Sequence, residues 1–204
     1  MLIVDNMTNR EIFNELVNDA PNVTGKVEHV IMKYRREILK RTQFPVVFKA
    51  IDYVSPKKNH WFIIFRAFSR KDADAPVITY ACTANSKDGF YAFMVSRYND
   101  ETAILLFPPH LFHRYRERFL GGDMTLKGTD LIKYFFSRNP TFQSDESVED
   151  KRVINTSCED GVCLGSEKEK NFIVQGTYLT YEMLRGRQID AHEKLYDLLH
   201  ENEE

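Results

Sequence analysis

Residues 110–119 read HLFHRYRERF and hold two histidines and three arginines, directly after the Pro108-Pro109 pair. Histidine is the side chain that titrates near neutrality, and arginine is the permanent cation whose fork of N–H groups matches a phosphate. His110, His113, Arg114, Arg116 and Arg118 therefore carry the ingredients for acid–base work on a phosphodiester, or for plain anion binding. Nothing else in the chain is as concentrated.

What positions them is a helix. At about 100° per residue, Leu111, Phe112, Tyr115 and Phe119 fall in one apolar sector, with His110, His113, Arg114 and Glu117 opposite and Arg116 and Arg118 on the flanks. A solvated polar face is the plain explanation, with Glu117 pairing back to His113 or Arg114. Catalysis requires a second element that walls this face into a cleft. The run NFIVQGTY at about 171–178 supplies one, with Thr177 and Tyr178 at its mouth to orient a phosphate or a base. Thr180 just beyond reads as the N-cap of a helix starting at Tyr181.

A metal reading is weaker. The spacing His110-x-x-His113 puts two imidazoles on one helix face, but i, i+4 pairs are the usual zinc geometry and the adjacent arginines would repel a dication. Cys158 and Cys163 flank an expected hairpin with Asp160-Gly161 as its two-residue turn, which would set two reduced, half-buried cysteines opposite each other. No metal and no cofactor are expected.

Composition sets the wider frame. A chain of 204 residues with 43% apolar and 28% charged residues is that of an ordinary globular protein, expected as one domain, with a subdivision at about 107/108 as the alternative. A net charge of −2 gives no global pull towards nucleic acid, so such binding would need a local patch. The start MLIVDNMTNREIF lacks a long apolar run, no stretch of eighteen apolar residues occurs, and three cysteines suit a reducing compartment. These features predict a cytoplasmic protein without a membrane partner; they leave the oligomeric state open.

The remaining chain predicts an α+β fold. Thr8 and Glu11 form a capping-box pattern for a first helix at 9–18. A second helix at 27–41 buries Val27, Val30, Ile31, Tyr34 and Ile38, and carries Arg35 and Arg36 on a basic face that is either solvated or turned to phosphate. Runs at 44–54, 60–69, 77–84, 89–98 and 102–107 read as a curled antiparallel meander of about five strands, with the N-terminal helices on one side. In the second run, Trp61, Ile63, Phe65 and Ala67 share one face, and Phe62, Ile64 and Arg66 the other. A helix pair follows, the second holding Leu131, Ile132, Tyr134, Phe135 and Phe136. Residues 141–151 read as an exposed loop. Strands at 152–158, 161–166 and 171–178 then form a second short antiparallel sheet, and a C-terminal helix at about 189–201 carries Leu195, Leu198 and Leu199.

The order from 110 to 185, with HLFHRYRERF, DLIKYFFSRNP and then antiparallel strands ending in Thr177 and Tyr178, resembles the bacterial nuclease superfold of RelE-type toxins, colicin tRNases and EndoU-like domains. That resemblance implies metal-independent RNA cleavage. His110 or His113 would serve as base and acid, Arg114 and Arg118 would clamp the phosphate, and Arg116, Arg35 and Arg36 would steer the backbone. Two other readings stand beside it. One is a non-enzymatic RNA- or protein-binding module. The other is a small anionic ligand held in the curled sheet among Trp61, Tyr80 and Tyr91, favoured if the meander closes into a barrel.

Overall fold

The computed structural model describes residues 3–4, 6–146 and 152–200. It begins with one helix where two were expected: α1 runs unbroken over Asn9–Lys40, straight through Pro21. A proline in a helix interior removes one backbone bond and crowds the preceding turn. Here the same apolar face continues on both sides of it, burying Ile12, Leu16, Val23, Val27, Tyr34 and Ile38, and that packing outweighs the local penalty. Thr8 caps the start in a reciprocal box with Glu11, as its spacing predicts.

The strands are β1 (Val46–Val47), β2 (Ile51–Val54), β3 (His60–Ala67), β4 (Val77–Ser86), β5 (Gly89–Tyr98) and β6 (Glu101–Phe107). Helices α2 (Pro109–Arg118) and α3 (Gly128–Arg138) follow, then β7 (Gln143–Glu146), β8 (Ile154–Cys158), β9 (Gly161–Glu169), β10 (Phe172–Leu179) and α4 (Arg187–His200). The 44–54 run is thus two short strands, which pair with opposite ends of β3. Part of the expected 141–151 loop is strand β7, paired along β8, while 147–151 lie outside the described residues. The side chains of Leu195, Leu198 and Leu199 on α4 also lie outside them.

The architecture is α+β, but two separate sheets are not formed. The ten strands among the described residues join one open sheet in the order β1-β3-β4-β5-β6-β10-β9-β8-β7, with β2 also on β3. The join is β10, which lies parallel to β6 through Phe172–Ile104, Ile173–Leu105 and Val174–Leu106, and antiparallel to β9. Since the order ends at β1 and β7, the meander does not close into a barrel.

Both faces of this sheet are covered, as the two apolar faces of β3 require. Trp61, Ile63, Phe65 and Ala67 pack with α1, while Phe62 and Ile64 pack with α2 and α3. Each core draws on residues from both sides of position 107, with Phe172 in one and Ile173 in the other. The α2/α3 side is aromatic: Phe135 meets Phe112, Tyr115 and Phe136 edge to face, with ring centroids 4.9 to 5.6 Å apart. Such pairs contribute about 0.5–1.5 kcal/mol beyond the area they bury. Among the described residues, no helix is long and apolar enough to cross a membrane.

Candidate active site on helix α2

Helix α2 is fixed from below before its polar residues are considered. Pro109 occupies its first turn, where the missing N–H costs nothing, and Leu111, Phe112 and Tyr115 are buried. The Tyr115 hydroxyl donates to Asp160 at 2.7 Å, and Asp160 also receives the Arg138 guanidinium through Nε and Nη2 and the Asn139 amide. Tyr178 donates its hydroxyl to the Asp160 carbonyl. Burial, and then the neighbouring carboxylate, push the Tyr115 hydroxyl far above its ordinary value, so it stays a donor. This hub joins α2, the end of α3, β10 and the β8–β9 turn.

That turn differs from expectation. The two linking residues are Glu159 and Asp160, and Gly161 opens β9 opposite Cys158. Gly161 is required because a Cβ there would lie 2.2 Å from the Leu179 carbonyl oxygen. Cys163 accordingly pairs in register with Thr156, while its thiol lies within hydrogen-bonding reach of the Cys158 thiol. All three cysteines are free and fully buried, beyond the half-burial expected.

The polar residues of α2 divide between two flanks. On one flank, the β10–β9 register slips between Gln175 and Thr177, leaving Gly176 as an unpaired bulge. His110 Nε2 lies 2.8 Å from the Gly176 carbonyl oxygen. A carbonyl only accepts, so the imidazole carries its proton on Nε2 and, when neutral, leaves Nδ1 as the basic nitrogen. Arg118 Nη1 donates to Thr177 Oγ1 at 3.3 Å and to the Tyr178 carbonyl. Arg114, one turn from each on the same stripe, is exposed and pairs with Glu117 at 3.2 Å.

The other flank carries His113 and Arg116, which line a cavity of about 170 Å³ with Phe90, Pro109, Phe112 and the start of α3. His113 is exposed and does not meet β10; the histidine that does is His110. The wall expected for His113 therefore stands beside its neighbour.

Other residues singled out by sequence lie elsewhere. Tyr178 is fully buried and spent on the Asp160 hub, so its hydroxyl is unavailable to a ligand. Arg35 pairs with Asp74 at 2.6 Å and Arg36 is exposed; both sit on α1, across the sheet from α2. Trp61 is core, its indole N–H bound to Asp19 at 2.9 Å, and Tyr91 lines a different cavity beside Ile3 and Met7. Thr180 precedes a single 3-10 turn, Tyr181–Met183, and makes no side-chain cap. No group of three or more metal-ligating side chains occurs among the described residues.

Sequence reasoning missed Asp160, which looks like an ordinary turn aspartate. It also missed Gln175, whose amide donates to Thr156 Oγ1 at 2.9 Å beneath the Gly176 bulge. A lone glutamine inside an apolar strand was the available signal. No family model, curated protein or solved structure matches the chain.

Proposed function

We propose that this protein is a metal-independent ribonuclease whose reacting groups lie along the contact of α2 with β10. The observation that carries the reading is the 2.8 Å contact of His110 with the Gly176 carbonyl, beside Arg118 on Thr177. It orients an imidazole with one nitrogen as donor to the protein and the other left basic, as a general base requires. In this reading His110 Nδ1 takes the ribose 2′-hydroxyl proton. The 2′-oxygen attacks phosphorus, the bond to the 5′-oxygen breaks, and the leaving oxygen is protonated by an acid from the enzyme or by water. The products are a 2′,3′-cyclic phosphate and a free 5′-hydroxyl. Arg114, with half its side chain in water, offers its guanidinium to the phosphorane oxygens. Arg118 and Thr177 hold the strand against the helix.

A binding module is favoured by a different observation: the exposed polar face of α2, with His113, Arg114 and Glu117 all open to solvent. Incubation of end-labelled RNA with the purified protein, with and without EDTA, separates the two. Cleavage that survives EDTA and leaves cyclic phosphate ends supports the ribonuclease. Retention of RNA without cleavage supports the binding module.

A further inference from the structure

The second flank of α2 carries a feature that RNA cleavage at the β10 flank does not use. Arg116 reaches from α2 to the loop before α3, where Nη2 donates to the Leu126 carbonyl at 2.8 Å. Its Nε is buried and has no hydrogen-bond partner among the described residues. No carboxylate among them lies within ion-pairing distance of this guanidinium. A buried donor on a cation left without an acceptor loses its hydration with nothing in return, so the arrangement is incomplete as a purely structural one.

The same side chain lines a small cavity between α2, the start of β5 and α3. Its volume of about 170 Å³ corresponds to roughly six waters at ~30 Å³ each, below the roughly 300 Å³ at which drug-sized pockets begin. Phe90, Phe112, Leu131 and Ile132 make most of its wall apolar, which strengthens any charge pairing inside it. His113 adds a second nitrogen-bearing side chain. Gly128, the first residue of α3, is at the rim, and the residue before it, Lys127, gives no side-chain cap. The Asp130 N–H is bound to the Lys127 carbonyl, so the Gly128 and Thr129 N–H groups are what the helix start offers an anion there, against the exposed Asp130 carboxylate in the same turn. A guanidinium without a carboxylate partner, an imidazole and a helix start around a small apolar-walled space define a receptor for one compact oxyanion.

We infer that the cavity between α2, the start of β5 and α3 is a phosphate-sized oxyanion site, in which Arg116 is the charged partner and His113 a second contact. It rests on no part of the ribonuclease reading. The oxyanion has two sources, free phosphate or the terminal phosphate of a nucleotide, and both present the same group to Arg116.

The test is titration of the ¹⁵N-labelled protein with inorganic phosphate at constant ionic strength, reading the Arg116 Nε–H and His113 ring signals by NMR. A saturable shift of both signals is expected. The His113 shift should weaken at least tenfold in Arg116→Gln, the Arg116 shift should weaken at least tenfold in the cavity-filling His113→Phe, and both should persist in His110→Ala. A parallel titration with a 5′-phosphorylated dinucleotide identifies the source: tighter, Arg116-dependent binding points to a nucleotide terminus, and binding of inorganic phosphate alone points to the free anion. Absence of a saturable shift in the wild type overturns the site, whatever the variants do. A shift unchanged in Arg116→Gln but lost in His110→Ala also overturns it, by moving the anion to the other flank.

Discussion

The Tyr115 hydroxyl and the Asp160 carboxylate meet at 2.7 Å inside the core, and this bond sets where the polar face of α2 stands. Asp160 has only 3% of its side chain exposed, and its charge is matched by Arg138 at 2.7 Å. Removing one partner of a buried pair typically costs ~3–5 kcal/mol. Arg138 keeps 45% of its side chain in water, which discounts that figure. Asp160→Ala should destabilise the protein by about 2–3 kcal/mol, and Tyr115→Phe by about 1 kcal/mol. Urea denaturation checks both, and a loss below ~0.5 kcal/mol for Asp160→Ala would remove the hub from the account of the fold.

The two histidines of α2 should behave differently. General-base catalysis contributes typically ~10²–10⁴-fold, so His110→Ala should lose RNA cleavage by that factor with its melting temperature little changed. His113→Ala should stay within a few-fold of wild type. Initial rates on a labelled oligonucleotide decide this, and the reverse pattern would transfer the base to His113.

Arg114→Ala should weaken RNA binding and reduce the salt slope by about 0.7, the increment for one phosphate contact on a single strand. Arg36→Ala, on the far side of the sheet, should leave the slope unchanged. Filter binding at several salt concentrations provides the measurement.

Asp19 gives a pH prediction. This fully buried carboxylate of α1 accepts from Ser55 at 2.7 Å, Asn59 at 2.8 Å, Trp61 at 2.9 Å and Asn22 at 2.9 Å. Burial alone would raise its titration point, but these donors outweigh it and hold the group below the ordinary carboxylate range. A depressed folded-state value means the stabilisation is fully present above about pH 4 and is lost as pH falls through the folded-state value. Asp19→Asn should cost about 1–3 kcal/mol at pH 7, and its stability should fall less steeply towards pH 3 than that of the wild type. Parallel slopes in denaturant titrations from pH 7 to 3 would rule this out.

The thiols should be silent in the native state. Cys82, Cys158 and Cys163 are buried, and burial pushes the Cys82 and Cys158 thiols well above their ordinary value. A soluble aromatic disulfide should label none of them until denaturant is added, when all three should react.

Local pattern carried much of this fold. Alternation along residues 60–67 assigned the two faces of β3, and the apolar sector of 110–119 oriented α2 towards the core. What pattern missed was set by partners distant in sequence. Pro21 reads as a break until the sheet beneath α1 is known. Residues 143–146 (QSDE) are polar enough to look like loop, and become strand only because β8 offers an edge. The separation of His110 from His113 follows from which neighbour lies on each side of α2, and helical periodicity is silent on that. The sheet's central pairing is likewise invisible to any short window.

That pairing also has a consequence in time. When a ribosome has delivered β6, its apolar stretch Ala103-Ile104-Leu105-Leu106-Phe107 has β5 on one side and nothing on the other. The partner strand opens at Phe172, so at about 5–20 residues per second the edge stays bare for on the order of ten seconds. An unpaired apolar strand edge is a template for another chain. Crowded polysomes translating this message therefore hold neighbouring nascent chains in the state most able to pair with one another, and slow codons between β6 and β10 would lengthen that exposure.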